Sequence, residues 1–466
     1  MIIFIAIPLG AALLVFMLKN RLADVITVLV SLSLTIWATL LYLVSFENIT
    51  LLTNSLVLDG FSQLLLLTAN LLALIVIIYS VVYIKQNQSR QLYWGMLLVM
   101  ITGINGVLLA GDFRHLIIFL ELTSLAGYGL VSFNNGRSGA EAALKYFIMG
   151  TLATMMIVLA AGLISALTGS TEFAVAATKI ATVANPIKMF IVALLISGFG
   201  MKAALVPFHS WLPDAHTVAP SPISAMLSGI IVKVLGVYTL SRLLFNVIGI
   251  NQQISLVLLV LASGSILIGS LLMVAQWDMK RLMAYSTIAQ VGYIILGLGL
   301  ATPLGIMAGL FHLFNHAFMK GLLFLTAGTV EKVTGTRDLR QLGGLRKILP
   351  VTSLTSLAGS LAISGLPPFN GFWSKLFLIV ACLQAGQIGL ALIAVVGALL
   401  TMGAFLRIQK EAFFGPERIN LAGKKEAPLA MTIPLGILAT FCLIIGLTFP
   451  YCLKLFIDPA VKVLLR

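Results

Sequence analysis

The sequence predicts an all-α polytopic membrane protein with about fourteen transmembrane helices, and the first reason is its composition. Of 466 residues, 60% are hydrophobic and only 9% are charged, whereas about 25% of residues are charged in soluble proteins. The mean hydropathy is +1.09. A span needs about 20 apolar residues, and only short polar segments separate the apolar runs of this chain. The composition therefore excludes a soluble globular protein.

The apolar runs divide the chain into fourteen predicted spans, numbered in chain order. No basic segment precedes the first run and no clear cleavage site follows it, so we predict a retained helix rather than a signal peptide. The spans are predicted at residues 2–18, 25–45, 61–84, 92–110, 115–133, 143–167, 187–207, 221–246, 253–276, 282–300, 303–328, 350–382, 385–406 and 428–449.

The distribution of lysine and arginine predicts the orientation of these spans. An even number of spans puts both termini on one side, and cytoplasmic loops carry the excess of bases. The loops that follow the odd-numbered spans, counted with the adjoining helix ends, hold 18 Lys and Arg. The loops on the opposite side and the C-terminus hold 7. Both termini are therefore predicted to face away from the cytoplasm. The seven bases are Arg114, Lys179, Lys188, Arg242, Lys454, Lys462 and Arg466.

Neither the net charge nor the cysteines indicate a further binding function. The net charge is +14, but the bases are scattered singly rather than clustered on a polar face, so nucleic acid is not an expected partner. Cys382, Cys442 and Cys452 form no C-x-x-C pair, and no G-x-G-x-x-G or P-loop motif occurs. We expect no cofactor and no metal, and we assign electron transfer to partner proteins.

Ionisable residues inside the predicted spans are the first candidates for function. A charged side chain at the bilayer centre costs about 2.5 to 3.5 kcal/mol even on the lenient insertion scale. One such lysine alone could extend its stem to the interface, but four together indicate a paired or hydrated interior. Glu121 is the one acid well inside a span, so some lysines are expected to lose or share their protons. The four lysines are Lys202, Lys233, Lys320 and Lys375.

His312, His316 and Lys320 are spaced by four residues. On a helix they form one stripe about 12 Å long, with Asn315 beside it. A single intramembrane histidine is most often a packing residue, whereas two histidines and a lysine on one face favour a proton relay through a file of water.

Prolines interrupt two predicted spans beside these lysines. In GMKAALVPFHSWLPDAHTVAPSP, Pro207 and Pro213 follow Lys202, and Pro220 and Pro222 precede Lys233. In SGLPPFNGFWSK, Pro367 and Pro368 precede Lys375. Proline removes a backbone donor, and the freed carbonyls must face protein or a water-filled cavity. One kink alone has no necessary function. Breaks in both halves of a chain are the pattern of an ion pathway built on inverted repeats.

Five long segments carry a resemblance to a known family. They are LPDAHTVAPSPISAMLSGIIVK, KRLMAYSTIAQVGYIILG, FNHAFMKGLLFLTAG, LRQLGGL and SGLPPFNGFWSK. Together they resemble the antiporter-like, proton-translocating subunits shared by respiratory complex I, membrane-bound hydrogenases and Mrp-type Na+/H+ antiporters. The resemblance covers the chain from about residue 90 to 420. It implies fourteen helices, with spans 4–8 and 9–13 as inverted five-helix repeats and with spans 7 and 12 broken.

The predicted units follow from this resemblance. Residues 1–91 form an N-terminal three-helix segment, 92–250 the first inverted repeat, 251–410 the second, and 411–466 the last helix and a tail. The tail is short, which disfavours the distal complex I subunit with its long lateral helix.

The resemblance also implies a role for each charged residue in the first half. Glu121 matches the family's fifth-helix glutamate and Lys202 its seventh-helix lysine, an ion pair that is thought to gate proton uptake. Lys233 matches the eighth-helix lysine at the centre of the path.

In the second half, His312, His316 and Lys320 fall in the eleventh-helix relay region of the family. Lys375 occupies the twelfth-helix position, which some members fill with glutamate. The match is therefore closest to members with lysine at that position.

The sequence predicts a non-redox, ion-translocating subunit of a larger complex in a prokaryotic cell (inner) membrane. Its expected partners are other membrane subunits, the lipid bilayer and protons, or Na+. One alternative is a self-contained inverted-repeat solute transporter, which should show a local polar cluster at one break. A scaffold without transport is another, and it should show gaps among the charged positions, which are all filled here.

Overall fold

The computed structural model describes residues 1–18, 20–44, 51–53, 55–85, 89–133 and 136–466, and these are almost entirely helical. The helices are Ile3–Met17, Asn20–Val44, Gly60–Tyr83, Arg90–Leu109, Phe113–Val131, Arg137–Thr168, Phe173–Ile180, Asn185–Lys202, Trp211–Val218, Ser221–Ile248, Gln252–Val274, Met279–Gly299, Pro303–Thr334, Leu345–Lys347, Pro350–Ser364, Asn370–Gln384, Ile388–Phe414, Leu429–Leu447 and a C-terminal helix over 449–464.

Within the described residues, 11 helices are long and apolar enough to cross a membrane. They coincide with predicted spans 2–10, 13 and 14. The prediction of a multi-pass α-helical membrane protein is therefore confirmed. The other three predicted spans also fall on helices, but Ile3–Met17 is short, Pro303–Thr334 has polar residues in its middle, and the twelfth span is divided.

The described part of the chain also contains one small element that the sequence analysis did not predict. Strands Leu51–Thr53 and Leu56–Leu58 pair in antiparallel fashion, and the amide of Gly111 donates to the carbonyl of Ser55 at 3.0 Å. Strands of three residues are too short for an alternating pattern to reveal.

Both proline-containing spans are interrupted in the structure. Helix Asn185–Lys202 ends at Lys202, and helix Trp211–Val218 begins after eight residues without helix. Helix Pro350–Ser364 is separated from Asn370–Gln384 by five residues. The first interruption begins five residues before Pro207, with Ala204 at a positive φ of 54°.

Two helices, Phe113–Val131 and Met279–Gly299, begin in the same way. Asp112 accepts a hydrogen bond from the amide of His115 at 2.8 Å, and Asp278 accepts one from the amide of Arg281 at 2.9 Å. A carboxylate at this position satisfies a free amide of the first helical turn. Each aspartate also forms an isolated antiparallel bridge, Asp112 with Glu172 and Asp278 with Asp338.

The helices that follow these two in the chain also have the same length and the same end. Arg137–Thr168 and Pro303–Thr334 both have 32 residues. Gly169 follows the first at φ 70° and Gly335 follows the second at φ 82°, a left-handed conformation that glycine adopts without steric cost.

The core of the bundle is formed by three neighbouring helices. Ser221–Ile248 is fully buried and Met279–Gly299 nearly so, and both contact Pro303–Thr334. The backbone of the first widens to π-helix over Leu227–Tyr238, a geometry that is frequent at functional sites. Lys233 lies in this widened stretch.

A bidentate ion pair fixes one end of this core. The guanidinium of Arg242 donates to both carboxylate oxygens of Asp59 at 2.6 and 2.8 Å, and the same carboxylate caps helix Gly60–Tyr83 through the amides of Phe61 and Ser62. Burial raises the pKa of Asp59, but Arg242 and the two amides outweigh it and hold this pKa below its usual value.

Candidate functional site

The seven residues predicted to carry function lie on five helices of the bundle. Six of them are buried, and the side chain of Glu121 is about one third exposed, at 32%. The buried residues, with their exposed fractions, are Lys202 5%, Lys233 1%, His312 0%, His316 0%, Lys320 0% and Lys375 4%. Their burial excludes lysine side chains that extend to the membrane interface.

Glu121 and Lys202 are neighbours, as the sequence predicts. Nζ of Lys202 lies 3.5 Å from Oε1 of Glu121 and donates to Oγ of Ser124 at 2.9 Å. The hydroxyl of Thr154 donates to the same Glu121 oxygen. The carboxylate therefore has a neutral partner besides the lysine, and the lysine has one besides the carboxylate. Ser124 and Thr154 were not singled out from the sequence.

The second helix break places a lysine ammonium against the last turn of a half-helix. Lys202 is itself the last residue of its helix, and Nζ of Lys375 donates to the carbonyl of Ile363 at 2.8 Å, near the end of Pro350–Ser364. The last carbonyls of a helix have no intrahelical partner and carry partial negative charge. The second break thus supplies a backbone partner for the Lys375 ammonium, whereas Lys202 at the first break has Ser124 and Glu121.

Aromatic side chains enclose the end of the Lys202 helix. Nε1 of Trp211 donates to the carbonyl of Met201 at 3.0 Å. The indole stacks on the ring of Tyr146 with centroids 4.3 Å apart. Trp211 therefore ties the segment after the break to the helix before it, which fixes the position of Lys202.

The central lysines contact neutral oxygen atoms only. Lys233 donates to the carbonyl of Ser228, and Lys320 donates to the carbonyl of Met283 at 2.7 Å and to Oγ of Ser286 at 2.8 Å. In the described ranges, no carboxylate lies within 4.0 Å of Lys233, Lys320 or Lys375. Among the four lysines, Glu121 therefore pairs with Lys202 alone.

His312 connects the Lys320 helix to the Lys375 helix, and His316 lies beside it. His312 has Nδ1 2.9 Å from Oγ of Ser374 and Nε2 3.0 Å from Oε1 of Gln290. The ring of His316 lies 6.1 Å from that of His312, and neither of its nitrogens has a hydrogen-bond partner among the described residues. Buried polar atoms are almost always hydrogen-bonded, to protein or to water.

Tyr293 lies between the relay histidines and Lys375. Its ring is 5.7 Å from that of His312, and Nζ of Lys375 lies 5.1 Å from its centroid. A cation over a tyrosine ring is attracted by the ring's negative face. The Tyr293 ring is thus a neighbour of the Lys375 ammonium besides the Ile363 carbonyl.

Lys280 and His216 belong to the same buried region and were not selected from the sequence. Lys280 was counted with a loop, but it is only 1% exposed, and its Nζ donates to the carbonyl of Ala219 at 2.5 Å. His216 is fully buried, stacks on Phe324 at 4.7 Å and lies within electrostatic range of Lys280, Lys320 and Lys233. From the sequence, Lys280 was taken for a loop residue because a second base, Arg281, directly follows it. In the structure, Arg281 is partly exposed and Lys280 is not.

A polar cavity of about 180 Å³ lies at the surface beside the first break. Asp214 pairs there with Lys145 and with Arg281, both at 3.0 Å, and Lys145 also pairs with Glu141 at 2.8 Å. Lys145 therefore takes part in a network of solvent-exposed ion pairs. No group of three His, Cys, Asp or Glu residues in the described chain could hold a metal.

The family described as NADH:quinone oxidoreductase/Mrp antiporter, TM, matches residues 110–401. The chain belongs to this family. The resemblance carried by the five sequence motifs is therefore confirmed, and the chain is an antiporter-like membrane subunit.

Two relatives of this antiporter-like subunit are a quinone oxidoreductase subunit and a hydrogenase component. NADH-quinone oxidoreductase subunit N of Desulforudis audaxviator is 34% identical over 84% of this chain and 81% of the relative. Hydrogenase-4 component B of Escherichia coli is 32% identical over 84% of this chain, which spans 62% of that longer protein.

A solved relative has the same fold over nearly the whole chain. It is a chain of the Mrp complex from Dietzia sp. DQ12-45-1b, with a TM-score of 0.90, 27% identity, and coverage of 99% of this chain and 98% of that one. None of these comparisons supports the alternative of a self-contained solute transporter.

Proposed function

We propose that this antiporter-like subunit moves protons, or Na+ in exchange for them, through a chain of buried groups. The chain of groups runs from Glu121 and Lys202 through Lys233 to His316, Lys320 and Lys375. One observation carries the proposal: three buried lysines contact neutral oxygens and have no carboxylate within 4.0 Å in the described chain. An unpaired buried ammonium is costly, so such lysines exchange protons readily.

His316 is the proposed junction of this chain. Lys233, Lys320 and Lys375 all lie within electrostatic range of its ring. Both of its nitrogens lack a protein partner, so water molecules are the simplest partners for them. A histidine between lysines and water can accept a proton on one nitrogen and release it from the other. His312 continues this relay through its hydrogen bond with Ser374, which directly precedes Lys375 in the chain.

The proposed architecture has fourteen membrane helices in two inverted repeats. Asp278 follows Asp112 by 166 residues, and the 32-residue helices starting at Arg137 and Pro303 have the same offset. We add Ile3–Met17, Pro303–Thr334 and the interrupted helix over 350–384 to the 11 long apolar helices. The proposed units are 1–91, 92–250, 251–414 and 415–466, and the third ends at Phe414 rather than at 410 because its last helix ends there.

Equivalent contacts in the two halves support this repeat. Thr154 and Lys320 are 166 positions apart, and each donates a hydrogen bond to the preceding helix of its own half: Thr154 to Glu121, and Lys320 to Ser286 and the Met283 carbonyl. Position 287, which corresponds to Glu121, lies next to Ser286. The contact between these two helices thus includes an acid, Glu121, in the first half and a base, Lys320, in the second.

The parent assembly is proposed to be a multisubunit membrane complex, as for the relative from the Mrp complex. Glu121 supports this because its neighbours on the outer face of its helix, Ile118 at 62% and Leu125 at 57%, are exposed. A carboxylate on a lipid-facing surface is costly. A neighbouring subunit that covers this face would remove the cost.

Replacing Lys233 by methionine tests the proposed proton path. Proton uptake by vesicles that contain the assembled complex should fall by about two orders of magnitude, within the range that one proton-transfer group contributes to a rate. The complex should still assemble, because an apolar side chain of similar size is well tolerated in place of a buried charge. Lys454→Met, at an exposed position, is the matched control. Uptake near that of the control would contradict the path.

The proposed orientation puts both termini on the non-cytoplasmic side. The three native cysteines are first replaced by alanine. Arg340 is 64% exposed, but it lies in the base-rich 334–347 loop on the proposed cytoplasmic side. Arg340→Cys should therefore not react with an impermeant thiol reagent added outside. Gln253→Cys, exposed at the end of the bundle where Asp59 pairs with Arg242, should react. The reverse pattern would overturn the orientation.

A further inference from the structure

A row of hydroxyl groups lines the first half of the second broken helix. Ser353, Ser356, Ser360 and Ser364 are spaced by three and four residues, so they share one face of helix Pro350–Ser364. They are between 1% and 7% exposed. From the first to the last, the row covers 11 residues, or about 17 Å along the helix axis.

Gln409 supplies an independent sign that this row has a polar occupant. Its amide nitrogen donates to Oγ of Ser356 at 2.9 Å and to Oγ of Ser360 at 2.8 Å. The side chain is 4% exposed, and its Oε1 has no partner among the described residues. A buried acceptor without a partner costs about 1 to 3 kcal/mol. A water molecule beside the serines would satisfy it.

The two ends of the row reach ionisable groups. At the outer end, the partly exposed carboxylate of Glu426 accepts hydrogen bonds from Oγ1 and from the backbone amide of Thr352, at 2.8 and 3.2 Å. At the inner end, Ser364 directly follows Ile363, whose carbonyl accepts the hydrogen bond of Lys375. The hydroxyls therefore connect a surface acid with the buried lysine of the second break.

The corresponding half-helix of the first repeat has no such row. Helix Asn185–Lys202 reads NPIKMFIVALLISGFGMK, and Ser197 is its only hydroxyl residue. A half-helix in this position therefore does not need hydroxyls to pack. The row in Pro350–Ser364 calls for a reason specific to the second half.

We propose that this row is a water-filled access route through which protons reach Lys375 from the end of the bundle that carries Glu426. The inference rests on the proposed function, in which Lys375 exchanges protons, and it adds the side and the surface from which Lys375 is supplied. Loop 334–347 lies at the same end, because Nζ of Lys424 donates to the carbonyl of Thr334 at 3.0 Å.

Cysteine accessibility tests the route without requiring transport. In the assembled complex, with Cys382, Cys442 and Cys452 replaced by alanine, Ser356→Cys and Ser360→Cys are exposed separately to a small, cationic, membrane-impermeant methanethiosulfonate. Ala362→Cys is the matched control, since Ala362 is fully buried on the same helix but off the row. Arg340→Cys reports which side the reagent reaches.

Both serine positions should react when the reagent is added on the side where Arg340→Cys reacts, and Ala362→Cys should not. Modification of Ser360→Cys should then reduce proton uptake severalfold, because the bound group fills the route. Three results would each overturn the route: reaction no faster than at Ala362→Cys, reaction from the opposite side only, or full modification with unchanged uptake. Failure of the proposed function would appear differently, as normal uptake by Lys375→Met.

Discussion

Replacing Lys375 by methionine is expected to abolish proton translocation while the parent complex still assembles. Lys375 is 4% exposed, donates to the carbonyl of Ile363 and faces the ring of Tyr293. Methionine keeps the volume but cannot carry a proton, so uptake should fall by about two orders of magnitude or more. Proton uptake by vesicles, normalised to the amount of complex, measures the effect.

Lys375→Glu and a surface variant complete this experiment. A carboxylate can also bind and release a proton, so Lys375→Glu should retain part of the uptake. Lys347→Met makes the same chemical change at a lysine that is 76% exposed and should leave uptake unchanged. Normal uptake by Lys375→Met would remove this lysine from the path.

The sequence predicted the helices well because lipid imposes one simple rule on them. Backbone groups in a bilayer must be bonded within the helix, so long apolar runs translate directly into spans, and 11 of the 14 predicted runs coincide with long apolar helices of the described chain. The three other predicted runs also fall on helices, but these are not among the long apolar helices. Polar residues inside Pro303–Thr334 and the interruption after Ser364 weaken the apolar signal where the candidate groups lie.

The sequence predicted the charged residues of the candidate site but not the neutral residues that bond to them. A lysine within an apolar run stands out because charges are rare there. Ser124, Thr154 and Ser374 do not stand out, because serine and threonine occur throughout membrane helices and their partners come from distant parts of the chain. Lys280 was missed because it lies beside another base, Arg281, at a helix start and was therefore counted with the loop.

Glu121→Gln is expected to cut ion translocation severely while the protein stays in the membrane at normal abundance. Loss of one partner of a buried pair costs about 3 to 5 kcal/mol, but Glu121 is 32% exposed and Lys202 keeps its hydrogen bond to Ser124. Lys202 can also give up its proton, which removes most of the remaining cost. The loss should therefore appear in proton uptake rather than in folding. Glu121→Asp should retain part of the uptake.

A double-mutant cycle decides whether the two residues act as one unit. If Glu121 and Lys202 are partners, Glu121→Gln combined with Lys202→Met should be little worse than either change alone, because the first change already disables the pair. Glu417→Gln, at a carboxylate that is 46% exposed and pairs with Lys347, is the control and should combine with Lys202→Met without coupling. Multiplicative losses for Glu121 and Lys202 would mean that their 3.5 Å contact has no role in transport, because independent residues contribute independently to the rate.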